Sequence, residues 1–403
     1  MAKKHKTKYM DFRNSQYGRL WSIMWRELST FAHRPLLLFT MLVAPIVSMV
    51  LFLSIMSDGL PTSLPAAVVD EDNTATSRAV VRTLDAMQAT NLVARYPDFA
   101  SARQAMLRGE IYGFFHIPRG VTEKAIASRQ PHIAFYTNDC YYMPAALLLK
   151  DMKLSSELVG LAITRESLYG HGLTPRAAMG VVQPVVVETH PLNNPELNYS
   201  AYLNNIIIPG ILFLLIMLTT AYSIGIEWKN GTQRRLYAMS GYSSTVALVG
   251  KLLPQTLVFS LMMVFFDVCF YRYSLFPCNS GIASMMLLGI VAVMASQGLA
   301  VFAMGIFAGQ MRMAMSACSL WGIVAVSITG FTFPVPAMDA PLQWLSWLFP
   351  LRHYYMIYVN QALNGYPVWY VWQHIVALMA FMLLPLTVLW RYRVAFLKIK
   401  YVP

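Results

Sequence analysis

Long apolar segments recur along the chain, and few charged residues interrupt them. Because about 20 apolar residues are needed to cross the hydrocarbon core of a bilayer, runs of this length are typical of transmembrane helices. The pattern predicts six membrane spans, at residues 36–56, 206–226, 252–276, 282–308, 313–333 and 371–390. The predicted fold class is therefore an α-helical membrane protein.

The segment before the first span, residues 1–35, has an amphipathic pattern. Aromatic and aliphatic side chains such as Trp21 and Trp25 alternate with basic ones such as Arg19 and Arg26. A helix of this kind lies in the membrane interface, with its aromatic residues in the lipid and its basic residues facing lipid phosphates. The alternative is a tail that only lipid orders.

A hydrophilic insert, residues 57–203, separates the first two spans. Short apolar runs predict strands at residues 64–69, 92–96, 112–117 and 132–137, and helical spacing predicts helices at residues 76–87, 99–108 and 143–169. A β-branched run follows at residues 181–187. Alternating strands and helices indicate an α/β domain with a core of its own.

Composition and charge agree with this pattern and add an orientation. The 403 residues are 57% hydrophobic and 12% charged, whereas a soluble domain is typically about 25% charged. Lys and Arg concentrate before the first span, between the second and third spans, and in a tail at residues 392–403, while the charges of the insert nearly balance. The positive-inside rule then predicts cytoplasmic N- and C-termini and an extracytoplasmic insert. The net charge of +12 marks a face near anionic lipid and disfavours nucleic acid as a partner.

A charged segment between the second and third predicted spans carries the most informative motif. It reads E-W-K-N-G-T-Q-R-R-L, residues 227–236, and it resembles the coupling elbow of type 2 ABC exporter permeases, the ABC-2 family. The family pattern E-x-x-x-G-T-x-x-x-L falls on Glu227, Gly231, Thr232 and Leu236. Where the family often has a proline soon afterwards, this chain has M-S-G at residues 239–241, which leaves the exit of the elbow undetermined.

Three further segments resemble the same family. W-R-E-L at residues 25–28 resembles its lead-in, and G-F-T-F-P-V-P-A-M at residues 330–338 resembles the turn before its outer re-entrant helices, here residues 334–355. V-V-D-E-D-N at residues 68–73 resembles the outer domain of one branch, which has a large extracytoplasmic domain between the first and second spans.

The resemblance implies the permease subunit of an ATP-driven exporter in the bacterial inner membrane. Such a subunit pairs with a second copy or a paralogue, is driven by two copies of a separate ABC ATPase, and in this branch commonly works with a periplasmic adaptor and an outer-membrane channel. The substrate would be hydrophobic or amphiphilic, drug-like or lipid-like. ATPase coupling would fall to the elbow, residues 227–251, in which residues 227–236 would form a short helix that docks on the ATPase. The coupling residues would be Glu227, Gly231, Thr232, Arg234, Arg235 and Leu236. Glu227 would otherwise be a solvated charge at a helix end.

No motif indicates catalysis by this chain. The Gly-Lys pair of residues 250–251 is followed by Leu252 and lacks the leading glycine of a P-loop, so ATP and Mg are expected on the partner ATPase and no cofactor on this chain. The acidic run at residues 70–72 invites interpretation as a metal site. It lacks the spacing of a calcium loop, and an acidic turn after a strand is commoner.

Polar residues inside the predicted spans suggest two further features. Asp267 is expensive in a membrane unless it is paired, and Arg272 is its predicted partner; a proton-coupling site is the alternative. A translocation path between two copies would run along the second and fifth spans, past Thr219, Thr220, Tyr222, Ser327 and Thr329. Such residues also commonly bond to neighbouring helices.

Two other functions remain open at this stage. In a mechanotransmitter or sensor, ATPase motion would work the outer domain and nothing would cross the membrane. A dry, aromatic seam between copies would favour that function, and a wide polar surface would favour transport. A secondary transporter would be active without any ATPase, although Asp267 is solitary compared with the usual carboxylate relays.

Overall fold

The computed structural model describes residues 15–127, 129, 131–183, 188, 190–195 and 197–402, without the side chains of Ala32 and Ile126. The chain divides into two compact units. One consists of Met1–Ser57 together with Leu192–Pro403, and the other is Asp58–Pro191. Residues 1–14, the first part of the predicted amphipathic segment, and residues 184–187 of the β-branched run lie outside the described residues.

Six helices among the described residues are long and apolar enough to cross a membrane, which confirms the predicted number. The first to sixth spans are Pro35–Ile55, Tyr199–Lys229, Ser244–Tyr273, Ile282–Ile306, Met311–Ile328 and Val368–Lys398. Several helices extend beyond the apolar runs that predicted them. The sixth continues to Lys398, so part of the predicted tail is helical.

Two of the spans contain a π turn. The first is α-helical at Pro35–Leu38, widens to a π turn at Phe39–Val43, and is again α-helical at Ala44–Ile55. Pro45 lies two residues after the end of that π turn, and a proline cannot donate to the helical hydrogen-bond ladder. The third span is α-helical at Ser244–Val268 and ends in a second π turn, Cys269–Tyr273.

The second span is the most buried of the six, and the sixth is the most exposed. Glycines allow the fifth span to pack closely on the second: a Cβ on Gly225 would lie 2.3 Å from Cγ of Met311, and one on Gly322 would lie 2.6 Å from Cδ1 of Leu214. Close approach at small residues is the usual basis of helix packing in membranes. A movement of the second span would therefore disturb much of the bundle.

Short helices complete this unit. The N-terminal helix, Gln16–Ala32, buries Ile23 and Phe31 and leaves Trp21 and Trp25 exposed. The elbow helix is Gln233–Met239. The segment predicted to be re-entrant contains Val335–Ala337, Ala340–Ser346 and the start of Pro350–Tyr358, which continues as a π turn at Val359–Leu363. Its position relative to the membrane stays a prediction.

The second unit contains a four-stranded sheet in the order β2-β1-β3-β4. The strands are β1 (Leu64–Asp70), β2 (Thr90–Arg95), β3 (Gly113–Ile117) and β4 (Ala134–Thr137). β1 pairs in parallel with β2 and β3, and β4 is antiparallel to β3. Helices lie at Ala75–Asp85, Phe99–Leu107, Val121–Ile126, Tyr142–Gly170 and Pro175–Val182. The start of the β-branched run is therefore helical, since Thr174 caps a helix that has Pro175 at its first position.

Candidate functional site

The elbow differs in its local structure from the single short helix predicted at residues 227–236. The second span continues through Glu227 to Lys229, and Gly231 then adopts a positive φ of 70°. The Thr232 amide donates to the Glu227 carbonyl at 2.9 Å, and the elbow helix begins at Gln233. The prediction of a single helix is wrong, because Gly231 separates the end of the second span from a new helix that begins at Gln233.

The exit of the elbow is a second glycine turn. Gly241 has a φ of 68°, and the Arg19 guanidinium packs so closely that a Cβ on Gly241 would lie 1.7 Å from its Nη1. Ser243 then caps the third span by accepting from the Val246 amide at 3.4 Å. Glycine and a packed arginine thus make the turn at the place where the family often has a proline.

Glu227 is 5% exposed and is held by cations from both sides. Arg26 Nη2 lies 2.9 Å from each of its carboxylate oxygens, and Lys251 Nζ donates to Oε1 at 2.9 Å. The Thr232 hydroxyl donates to Oε2. The alternative of a solvated helix-end charge disagrees with this burial, whereas the predicted role of Glu227 in ATPase coupling stays a prediction.

A second carboxylate completes what we call the charge cluster: Arg26, Glu27, Glu227 and Lys251. Lys251 Nζ also donates to Glu27 Oε2 at 2.8 Å, and Arg26 Nη1 lies 3.4 Å from Glu27 Oε1. Two positive and two negative charges share one buried place, so the cluster is neutral overall. Buried ions of this kind persist only when each has an oppositely charged partner.

The cluster joins three parts of the chain that are distant in sequence. Arg26 and Glu227 are 201 positions apart, and they come from the N-terminal helix and the second span. Lys251 lies near the start of the third span, next to Gly250, where a Cβ would lie 3.1 Å from Cβ of Ile23. Gly250 therefore lets the N-terminal helix approach the third span closely enough for the ion pairs to form.

Sequence reasoning missed the inward direction of Arg26 and Glu27 and the role of Lys251. The basic face of the N-terminal helix was expected to meet lipid phosphates, but Arg26 faces Glu227 and Arg19 packs on Gly241. The sequence offered two signals for this arrangement: Lys251 at the start of an apolar span, and Glu27 next to Arg26. The interfacial position of this helix stays a prediction, which the exposed Trp21 and Trp25 support.

The remaining elbow residues divide into anchors and an exposed surface. Leu236 and Tyr237 are buried, and Trp228 stacks on Tyr392 and Phe396 of the sixth span. Among residues 227–236 the exposed ones, which we call the elbow surface, are Lys229, Asn230, Gly231, Arg234 and Arg235. Leu236 is thus a packing residue. Arg234 and Arg235 are exposed to a partner, although Arg234 Nη2 also donates to the Leu397 carbonyl of the sixth span at 3.2 Å.

The residues predicted for a translocation path do not share one surface. Thr219 and Thr220 are buried, and the Thr220 hydroxyl accepts from Gln255 Nε2 of the third span at 2.8 Å. Thr329 is also buried, and its hydroxyl donates to the Ala325 carbonyl. Tyr222 is partly exposed and Ser327 is exposed. The three threonines therefore face the interior of this chain.

The predicted pair of Asp267 and Arg272 is not formed. Asp267 is 0% exposed, and neither carboxylate oxygen has a hydrogen-bond partner among the described residues. Arg272 is exposed on the π turn that ends the third span. Because Asp267 is buried and Arg272 is exposed, the two side chains lie on different faces of the helix, which widens to a π turn between them.

In the second unit, the acidic turn after β1 uses its carboxylates for internal hydrogen bonds. Asp72 Oδ1 accepts from the Gly120 amide at 2.8 Å, and Oδ2 accepts from the Thr122 hydroxyl at 2.6 Å and the Thr74 hydroxyl at 3.0 Å. Partial burial raises the pKa of Asp72, but these bonds outweigh it and hold the pKa below its usual value. The turn interpretation therefore accounts for this carboxylate without a metal.

Comparison with known proteins places the chain in a family. Residues 35–391 match the sequence profile of the ABC-2 family transporter proteins. No match to a curated protein was found. Permeases of this family normally lack an ATPase site of their own, and membership implies an ABC ATPase partner. With its six apolar helices, the chain is a multi-pass membrane permease of the ABC-2 transporter family.

Proposed function

We propose that this chain is the permease subunit of an ATP-driven exporter of hydrophobic or amphiphilic compounds in the bacterial inner membrane. It pairs with a second copy or a paralogue, and two ABC ATPase subunits drive it from the cytoplasm. The unit Asp58–Pro191 lies on the opposite side of the membrane. The separation of basic and balanced segments along the sequence supports this orientation.

The observation that carries the proposal is the charge cluster beside the elbow surface. A displacement of the elbow would reach the second span through the bond between Thr232 and Glu227. It would reach the N-terminal helix through Arg26 and the third span through Lys251. Because the second span is the most buried helix, its movement would repack the bundle.

Glu227 has a positioning role in this account, and the elbow surface makes the contact. Arg234 and Arg235 present positive charge outside, while Leu236 and Tyr237 fix the elbow helix from inside. ATP binding closes the ATPase pair, and the permease follows if the elbow surface contacts the open and closed states differently.

The test is affinity purification of the tagged chain from host membranes under mild detergent. We expect the wild type to retain an ABC ATPase, identified by mass spectrometry, together with ATP hydrolysis that vanadate inhibits. Arg234→Glu combined with Arg235→Glu should reduce the retained ATPase severely. The control is Arg393→Glu, an exposed basic residue outside the elbow surface, which should retain the ATPase.

Two results would count against the proposal. The first is a wild-type chain that retains no ABC ATPase. The second is an equal loss in the control, which would indicate nonspecific charge attraction. ATP-dependent flux in vesicles with the purified complex then separates export from mechanotransmission, since a transmitter hydrolyses ATP without moving substrate.

A further inference from the structure

A groove lies between the third, fourth and sixth spans, with a volume of about 290 Å³. Its walls are almost entirely apolar, and Leu253 of the third span and Leu386 of the sixth are exposed at its sides. The volume is close to the lower limit of small-molecule sites, which start at roughly 300 Å³. All of these residues belong to helices that can cross a membrane, so the groove is accessible from lipid.

One side chain in this apolar groove has an unmet hydrogen-bonding requirement. Gln297 of the fourth span is 6% exposed, and its Oε1 accepts from the Thr256 hydroxyl. Its Nε2 has no partner among the described residues. Turning the amide over would pair Nε2 with Thr256 and leave Oε1 unpaired. Either orientation leaves one amide atom unsatisfied.

Packing does not explain why a glutamine occupies this position. Burial of an amide without a partner is unfavourable, and a leucine would fill a similar volume without that penalty. Thr256 does not require Gln297, because its single hydroxyl hydrogen has an alternative acceptor, the Leu252 carbonyl oxygen, 2.9 Å away. The amide therefore suits a partner that this chain does not supply.

The shape of the groove comes from two local features. Gly298 lets the fourth span approach the sixth, since a Cβ there would lie 2.4 Å from the Phe381 carbonyl oxygen. Just beyond this contact the sixth span breaks: one helix ends at Leu383 and the next begins at Pro385. The residues on both sides of the break line the groove.

The depth of Gln297 limits what its partner can be. The groove extends along the third span from Thr245, near the elbow, to Thr256, a distance of about 16 Å at 1.5 Å per residue. The Gln297 amide is at the far end of this path. Gln297 lies nine residues, or about 14 Å at 1.5 Å per residue, from Ile306, the end of the fourth span nearer the elbow, and therefore roughly halfway through a hydrocarbon core about 30 Å thick. The headgroup and ester groups of a phospholipid stay at the membrane surface, so a phospholipid chain in the groove would leave the amide unpaired.

We propose that this groove binds a small apolar compound that dissolves in the bilayer and carries one hydroxyl group, with the hydroxyl bonded to the Gln297 amide. A hydroxyl both donates and accepts, so it satisfies either orientation of the amide. The Gln297 Nε2 atom is buried and is not exposed in the groove of this structure. Binding therefore includes rotation of the Gln297 side chain, which lines the groove. The site requires no ATPase and is separate from the predicted path along the second and fifth spans.

The experiment is photolabelling of the full chain in phosphatidylcholine nanodiscs. The probe is a medium-chain alcohol that carries a diazirine, and its matched control is the same hydrocarbon without the hydroxyl. Labelled positions are read by peptide mass spectrometry. We expect the alcohol to label groove residues such as Met294 and Met382 roughly threefold to tenfold more than the hydrocarbon, the range for one net hydrogen bond.

Two variants test the two parts of the site. Gln297→Leu should lower labelling by the alcohol to the level of the hydrocarbon. Leu386→Trp, which fills the side of the groove, should lower labelling by both probes. Its control is Leu320→Trp in the fifth span, which makes the same change at a similarly exposed position outside the groove, 65% against 56% exposed, and should have no effect.

Equal labelling by the alcohol and the hydrocarbon would overturn the proposal, as would an unchanged ratio in Gln297→Leu. A phospholipid with a diazirine in its acyl chain is the third probe, and displacement of the alcohol by that lipid at the groove would identify a lipid chain as the occupant and overturn it too. If Gln297→Leu fails to fold, the two tryptophan variants decide, because identical labelling of both contradicts binding in the groove.

Discussion

Glu227 and Asp267 are carboxylates buried in the same helical bundle, and their surroundings are opposite. Glu227, at the end of the second span, accepts from Arg26, Lys251 and Thr232. Asp267, in the third span, has no hydrogen-bond partner among the described residues. The role of a buried acid is therefore not determined by its position on an apolar helix. It is determined by the cations that other segments of the chain place beside it.

This difference shows which acid can transmit a movement. Glu227 is bonded to groups from the N-terminal helix, the third span and the elbow, so these elements cannot separate without breaking ion pairs in a poorly hydrated place. Asp267 faces the fourth span, where a Cβ on Gly289 would lie 3.4 Å from its Oδ2. Asp267 joins no elements together through its charge.

Asp72 in the second unit is an intermediate case. Its carboxylate accepts only from neutral donors, namely the hydroxyls of Thr74 and Thr122 and the amides of Gly120 and Thr122. Such bonds hold a turn together but need no buried cation. Removal of these three carboxylates should therefore have effects in the order Glu227, Asp72, Asp267.

The largest effect is expected for Glu227→Ala. After this change, Glu27 is the one acid of the charge cluster that still pairs with Arg26 and Lys251, and the Lys251 side chain is 2% exposed. Loss of one partner from a buried ion pair costs about 3–5 kcal/mol. Thermal unfolding of the purified chain in detergent should show a clear loss of stability.

The control for that variant is the double change Glu227→Gln with Lys251→Met. It removes one charge of each sign and leaves Arg26 with Glu27, so much of the lost stability should return. A double variant as unstable as Glu227→Ala would show that the ion pairs do not account for the effect.

A smaller, pH-dependent effect is expected at Asp72. Its pKa is lowered in the folded chain, so the carboxylate stabilises the turn above the ordinary aspartate value of about 3.9, and this contribution is lost as pH falls through the lowered folded value. Hydrogen exchange at Gly120 and Thr122, corrected for the intrinsic rate, should accelerate over that acidic range.

Asp72→Asn serves as the reference for this titration. It should raise exchange at the same amides by an amount equivalent to roughly 1 kcal/mol at neutral pH, a value reduced for partial exposure. It should also remove the acidic step. An acidic step of equal size in the variant would assign the titration to another group.

The smallest effect is expected for Asp267→Asn. The substitution keeps the size of the side chain and breaks no ion pair among the described residues, so the free energy of unfolding should change by less than about 1 kcal/mol. The matched comparison is Glu227→Gln, the same chemical change at the paired site. Equal destabilisation by the two variants would contradict the distinction between a paired Glu227 and an unpaired Asp267.

The hydrophobic pattern predicted the positions of the spans well, because each span depends on the apolar residues within its own segment. The strands Leu64–Asp70 and Gly113–Ile117 also lie close to their predicted positions, since short apolar runs between turns mark them directly. The motif E-x-x-x-G-T located the elbow, although it did not show that the second span continues past Glu227 to Lys229.

The partners of each charge could not be predicted in the same way. Arg272 is near Asp267 in sequence but points away from it, whereas Arg26 is 201 positions from Glu227 and bonds to it. Tertiary packing at Gly250 and Gly241 determines these distances, and a single sequence records only that glycines occur there. The inward direction of Thr220 likewise depends on Gln255 of another span.

The most direct test of the coupling account is hydrogen exchange of the purified permease–ATPase complex, with and without vanadate-trapped nucleotide. It compares wild type, Glu227→Gln and Asp267→Asn. We predict that trapping changes exchange in both the elbow and the N-terminal helix in wild type and Asp267→Asn, and that Glu227→Gln restricts the change to the elbow. A Glu227→Gln complex that still transmits the change to the N-terminal helix would contradict the account.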